Sequence, residues 1–181
     1  MKREYIEFNE ATNAIDYLSK VPFFLKESKE KRTEWKWVVI ALHGALYGLA
    51  ICCVRGTNPE PLRKGNWLKP LGNILKMCQN PEIMKSEHNR TPLEMTEQEA
   101  KSIDRLKKEI RNNFEHYSPH TWYLSESLLL SITDDTLNVI EKLHPRISQF
   151  CFLSQNQHRQ IKSAIFQSRK TLKHYPREYK L

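Results

Sequence analysis

The chain has 181 residues, a formal net charge of +8 and a pI near 9.3. This length is typical of one domain with a full hydrophobic core, and the sequence contains no internal repeat or low-complexity tract that would indicate a repeat protein. The positive charge is enough to attract a polyanion, although solvated basic helix faces give the same composition.

The amino terminus and the cysteines together indicate a cytoplasmic protein. The start Met1-Lys2-Arg3-Glu4 lacks the apolar run of a secretory signal. The cysteines show neither paired zinc spacing nor a disulfide framework: Cys52, Cys53, Cys78 and Cys151. We therefore expect reduced core cysteines, no bound metal and no cofactor.

The first predicted helix starts near Asn9, and Pro22 should kink or break it. Its spacing directs one apolar stripe to the core: Phe8, Ala11, Ile15, Leu18 and Leu25. The next segment, Trp37 to Val54, has eighteen residues without a formal charge. A membrane span is one interpretation, although eighteen residues only just cross a hydrocarbon core of ~30 Å.

We favour a central bundle helix for residues 37–54 and no membrane contact, because every other predicted helix has a single apolar stripe that needs a partner. His43, in the middle of the segment, would be costly in a membrane and is more often a satisfied core histidine. Small residues would allow a neighbouring helix to approach closely: Ala41, Gly44, Ala45 and Gly48.

The connection from Gly56 to Met95 is rich in glycine, proline and asparagine, and only residues 72–78 predict a short helix. Long excursions of this kind usually wrap the surface or approach a site. Trp67 lies among the basic residues Arg63, Lys64 and Lys69 and could stack on a base of single-stranded nucleic acid. A tryptophan that plugs the end of the bundle is an equally good interpretation.

A helix is predicted from Thr96 to about Tyr117. Thr96 should cap it, with Glu99 completing a capping box. Apolar residues at steps of three and four form one narrow stripe: Ile103, Leu106, Ile110, Phe114 and Tyr117. On a regular helix, Asn112 and His116 lie about 160° and 120° from this stripe and Arg111 about 100°, so all three should project outward.

Two more helices are predicted after a turn at residues 118–120. The first spans about Thr121 to Leu143, and residues 133–135 could divide it in two. An apolar patch follows at Ile147, Phe150, Phe152 and Leu153, and the last helix spans about Ser154 to Leu172. We expect an all-α, single-domain antiparallel bundle of five to six helices over residues 1–174, with a frayed tail at 175–181.

The run Arg111-Asn112-Asn113-Phe114-Glu115-His116, with Pro119 and Trp122 behind it, resembles the signature of the HEPN family (higher eukaryotes and prokaryotes nucleotide-binding). The resemblance covers most of the chain as an order of elements and is sharp at residues 110–122. It is most similar to small prokaryotic HEPN-like proteins. Arg169 and His174 repeat the spacing, but the residue after Arg169 is not an uncharged polar one.

The resemblance implies a helical, metal-independent endoribonuclease, often a toxin or defence effector. Cleavage of RNA by its own 2′-hydroxyl needs a proton acceptor, a proton donor and a positive charge at the phosphate. These roles fall to His116 and Arg111, with Asn112 positioning. Residues expected to bind substrate are Tyr117, His120, Lys107, Lys108 and Trp67.

One subunit supplies one motif histidine, and HEPN ribonucleases pair their motifs across a two-fold axis, so we expect a homodimer acting on RNA. A cognate antitoxin or a nucleotidyltransferase is a further expected partner. The alternative is a non-catalytic module that binds nucleotide, nucleic acid or protein. Arg111 could then form an ordinary surface ion pair with Glu115, and His116 could finish the helix.

Overall fold

The computed structural model describes residues 8–86, 90–116, 119 and 121–175. It is an all-α bundle of one domain with a very small β-hairpin. The helices are α1 (Glu10–Glu27), α2 (Trp35–Val54), α3 (Leu71–Gln79), α4 (Pro81–Ser86), α5 (Glu97–Arg105), α6 (Arg111–Glu115), α7 (Glu126–Leu143) and α8 (Gln155–Lys173). The two strands are β1 (Arg63–Lys64) and β2 (Trp67–Leu68), which pair antiparallel.

Helix α2 is the centre of the bundle, as its uniform apolar composition predicts. It contacts α1, α3, α6 and α7. Its side chains are buried on all sides except one stripe, and Leu42, Leu46 and Leu49 are completely inaccessible. Because α2 offers apolar surface in several directions, α1, α3 and α7 pack directly on it, while α5 packs on α7 and α8 packs on α1 and α7.

Helix α1 packs very closely on α2 because α2 carries glycine where the two helices meet. A Cβ atom at Gly44 would lie 2.6 Å from the ring of Tyr17, and one at Gly48 would lie 2.6 Å from the Cβ of Ala14. Helix α1 starts after Asn9, which forms a capping box with Thr12, and it continues through Pro22 without a break. The expected core residues of α1 are buried except Phe8, which is 74% exposed.

The connection between α2 and α5 contains more regular structure than the sequence predicts. The expected short helix is present as α3, and α4 follows it directly. The unexpected hairpin of β1 and β2 turns at Gly65, whose φ of 61° lies in the left-handed region that glycine adopts without strain. The hydroxyl of Tyr47 donates to the backbone carbonyl of Lys69 at 2.6 Å, which anchors the hairpin on α2.

Helix α5 is tied to α7 by polar contacts as well as by apolar packing. Thr96 and Glu99 form the expected capping box, and Glu99 is almost fully buried. The Nζ of Lys142 donates to both carboxylate oxygens of Glu99, at 2.8 and 2.7 Å. The hydroxyl of Ser102 donates to Asp135 at 2.5 Å. This end of α5 is therefore fixed in position.

Three expectations for the last third of the chain are wrong. Helix α7 begins at Glu126 with Ser125 as its cap, and it runs through residues 133–135 without division. Phe152 does not join an apolar patch: it is 84% exposed and has a φ of 40°. Tyr175, the first residue of the predicted frayed tail, is buried, and its hydroxyl lies 3.0 Å from the Oγ of Ser28 and 3.0 Å from the Oε1 of Glu126.

In the part of the chain that the structure describes, one helical stretch, Arg32–Val54, is long and apolar enough to cross a membrane. Of its most apolar window, 67% is buried inside the protein. The core helix of a soluble bundle meets the same criteria of length and hydropathy, so this stretch is weak evidence of membrane insertion.

Candidate functional site

The motif lies where the helix that began with α5 is interrupted. Residues Leu106–Ile110 form one π-helical turn, and α6 starts directly after it at Arg111. The extra residue in a π turn moves the following side chains by about one helical position, close to 100°. Arg111 and Glu115 therefore point in directions that a regular helix would give to Ile110 and Phe114.

This rotation carries Arg111 into a groove instead of out to solvent, so the predicted outward direction of its side chain is wrong. The groove has a volume of about 510 Å³ and lies between α1, α2 and α6. Its walls include Tyr17 and Leu68, and its polar lining includes Glu10, Asn13, His43, Tyr47, Arg111 and Glu115. We call it the Arg111 groove.

Arg111 already has two neighbours on α6. It forms an ion pair with Glu115, one turn further along the helix, and its Nη1 donates to the side-chain oxygen of Asn112 at 3.2 Å. Its side chain is 29% exposed, and its Nε is buried without a hydrogen-bond partner in the described residues. The guanidinium is thus held at the groove, but its hydrogen-bonding capacity is only partly used.

His116 does not lie on the helix, which contradicts the predicted side-by-side placement with Asn112. Helix α6 ends at Glu115, and His116 has an extended backbone with φ −109° and ψ 115°. Its amide still donates to the carbonyl of Asn112 at 2.8 Å, so its backbone stays close to the end of α6. The imidazole is exposed and follows directly after a residue that lines the Arg111 groove.

His43 faces the same groove from α2. Burial, together with the smaller effect of the positive charge of Arg111, lowers the pKa of its imidazole to about 4. The ring lies 6.2 Å from that of Tyr47, in a tilted arrangement. His43 is therefore neutral at neutral pH, and among the described residues it is a second imidazole close to Arg111.

His43 could have been found from the sequence, because it interrupts an otherwise apolar segment. The interpretation of His43 as a satisfied core histidine does not include its place in a groove. No pattern in the sequence points to Glu10, which lines the groove and forms an ion pair with Arg55. These contributions to the groove come from helices far from the motif along the chain, so no local spacing could reveal them.

Of the other predicted binding residues, the structure describes Lys107, Lys108 and Trp67. Lys107 and Lys108 both form ion pairs with Asp104, at 2.7 and 2.9 Å, and Lys107 lines a separate hollow beside Gly72. Trp67 is 81% exposed, so it does not plug the end of the bundle. Its neighbour Leu68 lines the Arg111 groove. Tyr117 and His120 lie outside the described residues.

Among the residues that the structure describes, there is no group of three or more histidine, cysteine, aspartate or glutamate side chains that could hold a metal ion. Comparison of the chain with protein-family models, with curated proteins and with solved structures finds no match.

Proposed function

We propose that this protein is a metal-independent endoribonuclease of HEPN type, which cleaves RNA by attack of the 2′-hydroxyl. In this proposal Arg111 stabilises the charge that develops on the phosphate, His116 transfers a proton, and Asn112 positions the guanidinium. The protein would act in the cytoplasm as a homodimer, with a toxin-like or defence-like role.

The observation that carries the proposal is the π turn directly before Arg111. Such turns are rare in helices and are frequent at functional sites. A regular helix would leave Arg111 on the surface, whereas this turn directs a guanidinium with an unsatisfied Nε into a groove. A cation in such a setting suits a phosphate, whose oxygens it can bind in pairs.

The hairpin beside the groove supports RNA as the substrate. Leu68 of β2 lines the groove, and the adjacent Trp67 offers an exposed indole on which a base can stack. Arg63 and Lys64 on β1 add positive charge next to it. Stacking and phosphate attraction tolerate any sequence, so we expect recognition of single-stranded RNA with little base preference.

Cleavage assays with single-stranded RNA test this proposal. His116→Ala should abolish cleavage, and the cleavage by the unsubstituted protein should persist in EDTA. His174→Ala is the matched control, because His174 belongs to the second Arg-to-His spacing and lies exposed at the end of α8. Equal cleavage by the His116→Ala variant, with far-ultraviolet circular dichroism unchanged, would refute the proposal.

The ion pair of Arg111 with Glu115 favours a second candidate, a non-catalytic HEPN-like module. A guanidinium already paired with a carboxylate is less available to a scissile phosphate, so the same surface could instead bind a nucleotide, a nucleic acid or a partner protein. An antitoxin or a nucleotidyltransferase would be such a partner. Protein that retains RNA but never cuts it, with or without chelator, would support this candidate.

A further inference from the structure

The motif provides one histidine, whereas RNA cleavage requires a proton acceptor and a proton donor. The structure places a second imidazole, that of His43, at the Arg111 groove in the same subunit. It belongs to one face of α2, whose residues recur at helical spacing along the groove: Ile40, His43, Gly44, Tyr47, Gly48 and Ile51. The other faces of α2 are used for packing.

The environment of His43 keeps its imidazole neutral. Among the described residues, the charged and titratable groups that share the groove are Glu10 and Tyr17 from α1, Tyr47 from α2, and Arg111 and Glu115 from α6. Burial, followed by the charge of Arg111, lowers the pKa of His43 to about 4. The neutral ring has a free nitrogen lone pair, which is the form that accepts a proton.

We infer that His43 is the proton acceptor of this site, and that it takes the proton of the 2′-hydroxyl while Arg111 binds the adjacent phosphate. This inference rests on the proposed function and extends it. The 2′-oxygen forms a bond to phosphorus, the bond from phosphorus to the 5′-oxygen breaks, and His116 donates a proton to the leaving 5′-oxygen. The products are a 2′,3′-cyclic phosphate and a 5′-hydroxyl, and the two histidines then exchange protons with water.

Binding of the phosphate also changes the pKa of His43, the proton acceptor. Its negative charge beside Arg111 offsets the repulsion that the guanidinium exerts on a protonated His43, so substrate binding raises the pKa of His43. Burial still keeps this pKa below that of a free histidine. The imidazole thus becomes a better base when RNA is bound and stays neutral near pH 7.

Single-turnover cleavage of a single-stranded RNA oligonucleotide tests this assignment. His43→Gln should lower the rate constant by about 100-fold or more, the range that a general base contributes, and leave the KM nearly unchanged. The rate constant of the unsubstituted protein should fall as the pH is lowered from ~6.5 to ~4, because His43 becomes protonated. This fall should be absent in the variant. His158→Gln is the matched control, since His158 is half-buried on α8 and hydrogen-bonded to His144.

Two further measurements separate proton transfer from structural support. Added imidazole should restore part of the activity of His43→Ala, which a packing role would not allow. In the unsubstituted protein, the nuclear magnetic resonance signal of the His43 ring should shift when an uncleavable 2′-O-methyl RNA binds. This second measurement does not depend on the folding of any variant at position 43.

The outcomes distinguish this inference from the proposed function. Loss of cleavage in His116→Ala together with normal cleavage in folded His43→Gln would overturn the role of His43 alone. If the 2′-O-methyl RNA binds and the His43 signal does not shift, the role of His43 is also overturned. No cleavage by the unsubstituted protein would overturn both the proposed function and the role of His43.

Discussion

Arg111 and Glu115 form an ion pair one helical turn apart, and both side chains line the same groove. The spacing of four residues on α6 brings the two side chains together, and the π turn before Arg111 rotates this pair toward α2. Glu115 holds the guanidinium at the groove and at the same time competes with any phosphate that binds there. The balance between these two effects can be measured.

Replacing Glu115 with Gln should increase RNA affinity by about 1.5- to 5-fold, because a partly exposed ion pair of ~0.2–1 kcal/mol no longer competes with the phosphate. Affinity can be measured by fluorescence anisotropy with the 2′-O-methyl RNA. Glu109→Gln is the control, since Glu109 pairs with Arg105 at 3.0 Å on the exposed side of the helix. Equal affinity gains in both variants would show a general effect of charge.

Replacing Trp67 with Ala should weaken binding of single-stranded RNA by about five-fold or more, since stacking on one base contributes ~1–3 kcal/mol. Stability should hardly change, because the indole is 81% exposed. Phe166→Ala on α8 removes an aromatic side chain that is 69% exposed and serves as the control in the same anisotropy titration. Unchanged RNA affinity in Trp67→Ala would show that the hairpin is not part of the RNA-binding surface.

Glu99 should make the stability of the fold depend on pH. Burial by itself would raise the pKa of Glu99, but hydrogen bonds from Lys142 and from the amide of Thr96 outweigh it and hold the pKa below its usual value. The stabilisation is therefore present above pH ~4.3 and is lost as the pH falls through the lowered pKa. We expect Glu99→Gln to reduce the free energy of unfolding by ~1–3 kcal/mol at pH 7 and by less at lower pH.

Urea denaturation at several pH values checks this expectation. Glu97→Gln, at a side chain that is 83% exposed and pairs with Lys101, should stay within ~0.5 kcal/mol of the unsubstituted protein at every pH. A loss in Glu99→Gln that is constant across the pH range would contradict the assignment of the effect to the carboxylate charge.

Replacing each of two helical glycines with alanine should have opposite effects on the stability of the protein. Gly48→Ala should destabilise the protein by ~1–3 kcal/mol, because the new Cβ would meet Ala14 at 2.6 Å and the carbonyl of Glu10 at 3.0 Å. Gly72→Ala should be neutral or stabilise it by up to ~1 kcal/mol, since its Cβ would meet only the flexible end of Lys107 and alanine favours a helix. The melting temperatures of the two variants, measured by thermal unfolding, test these expected changes in stability.

The helices of the bundle could be predicted well where local chemistry specifies them. Asn9, Thr96 and Ser154 lie at predicted starts and cap α1, α5 and α8 with their side chains. The apolar run of α2 predicted its central position, because a helix without a polar face has to be buried and the other predicted helices each have an apolar stripe that needs a partner. Ser125, by contrast, was missed as the cap of α7, since the polar residues before it offer several plausible starts.

The candidate site could be predicted only in part. The motif spacing drew attention to Arg111, but the predicted directions of Arg111 and His116 assumed a regular helix up to Tyr117. One π turn and an early helix end invalidate that assumption. A π turn has no clear sequence signature, because it depends on whether the neighbouring helices accommodate the extra residue.

The sequence by itself determined the helical class, most of the helix starts and the central place of α2, because caps and apolar periodicity act over a few residues. The tertiary structure decided which side chains share the Arg111 groove. Glu10, His43 and Arg111 are far apart along the chain and meet because glycine allows α1 to approach α2 and the π turn rotates α6 toward both. Such a meeting depends on packing between distant segments, which no local pattern specifies.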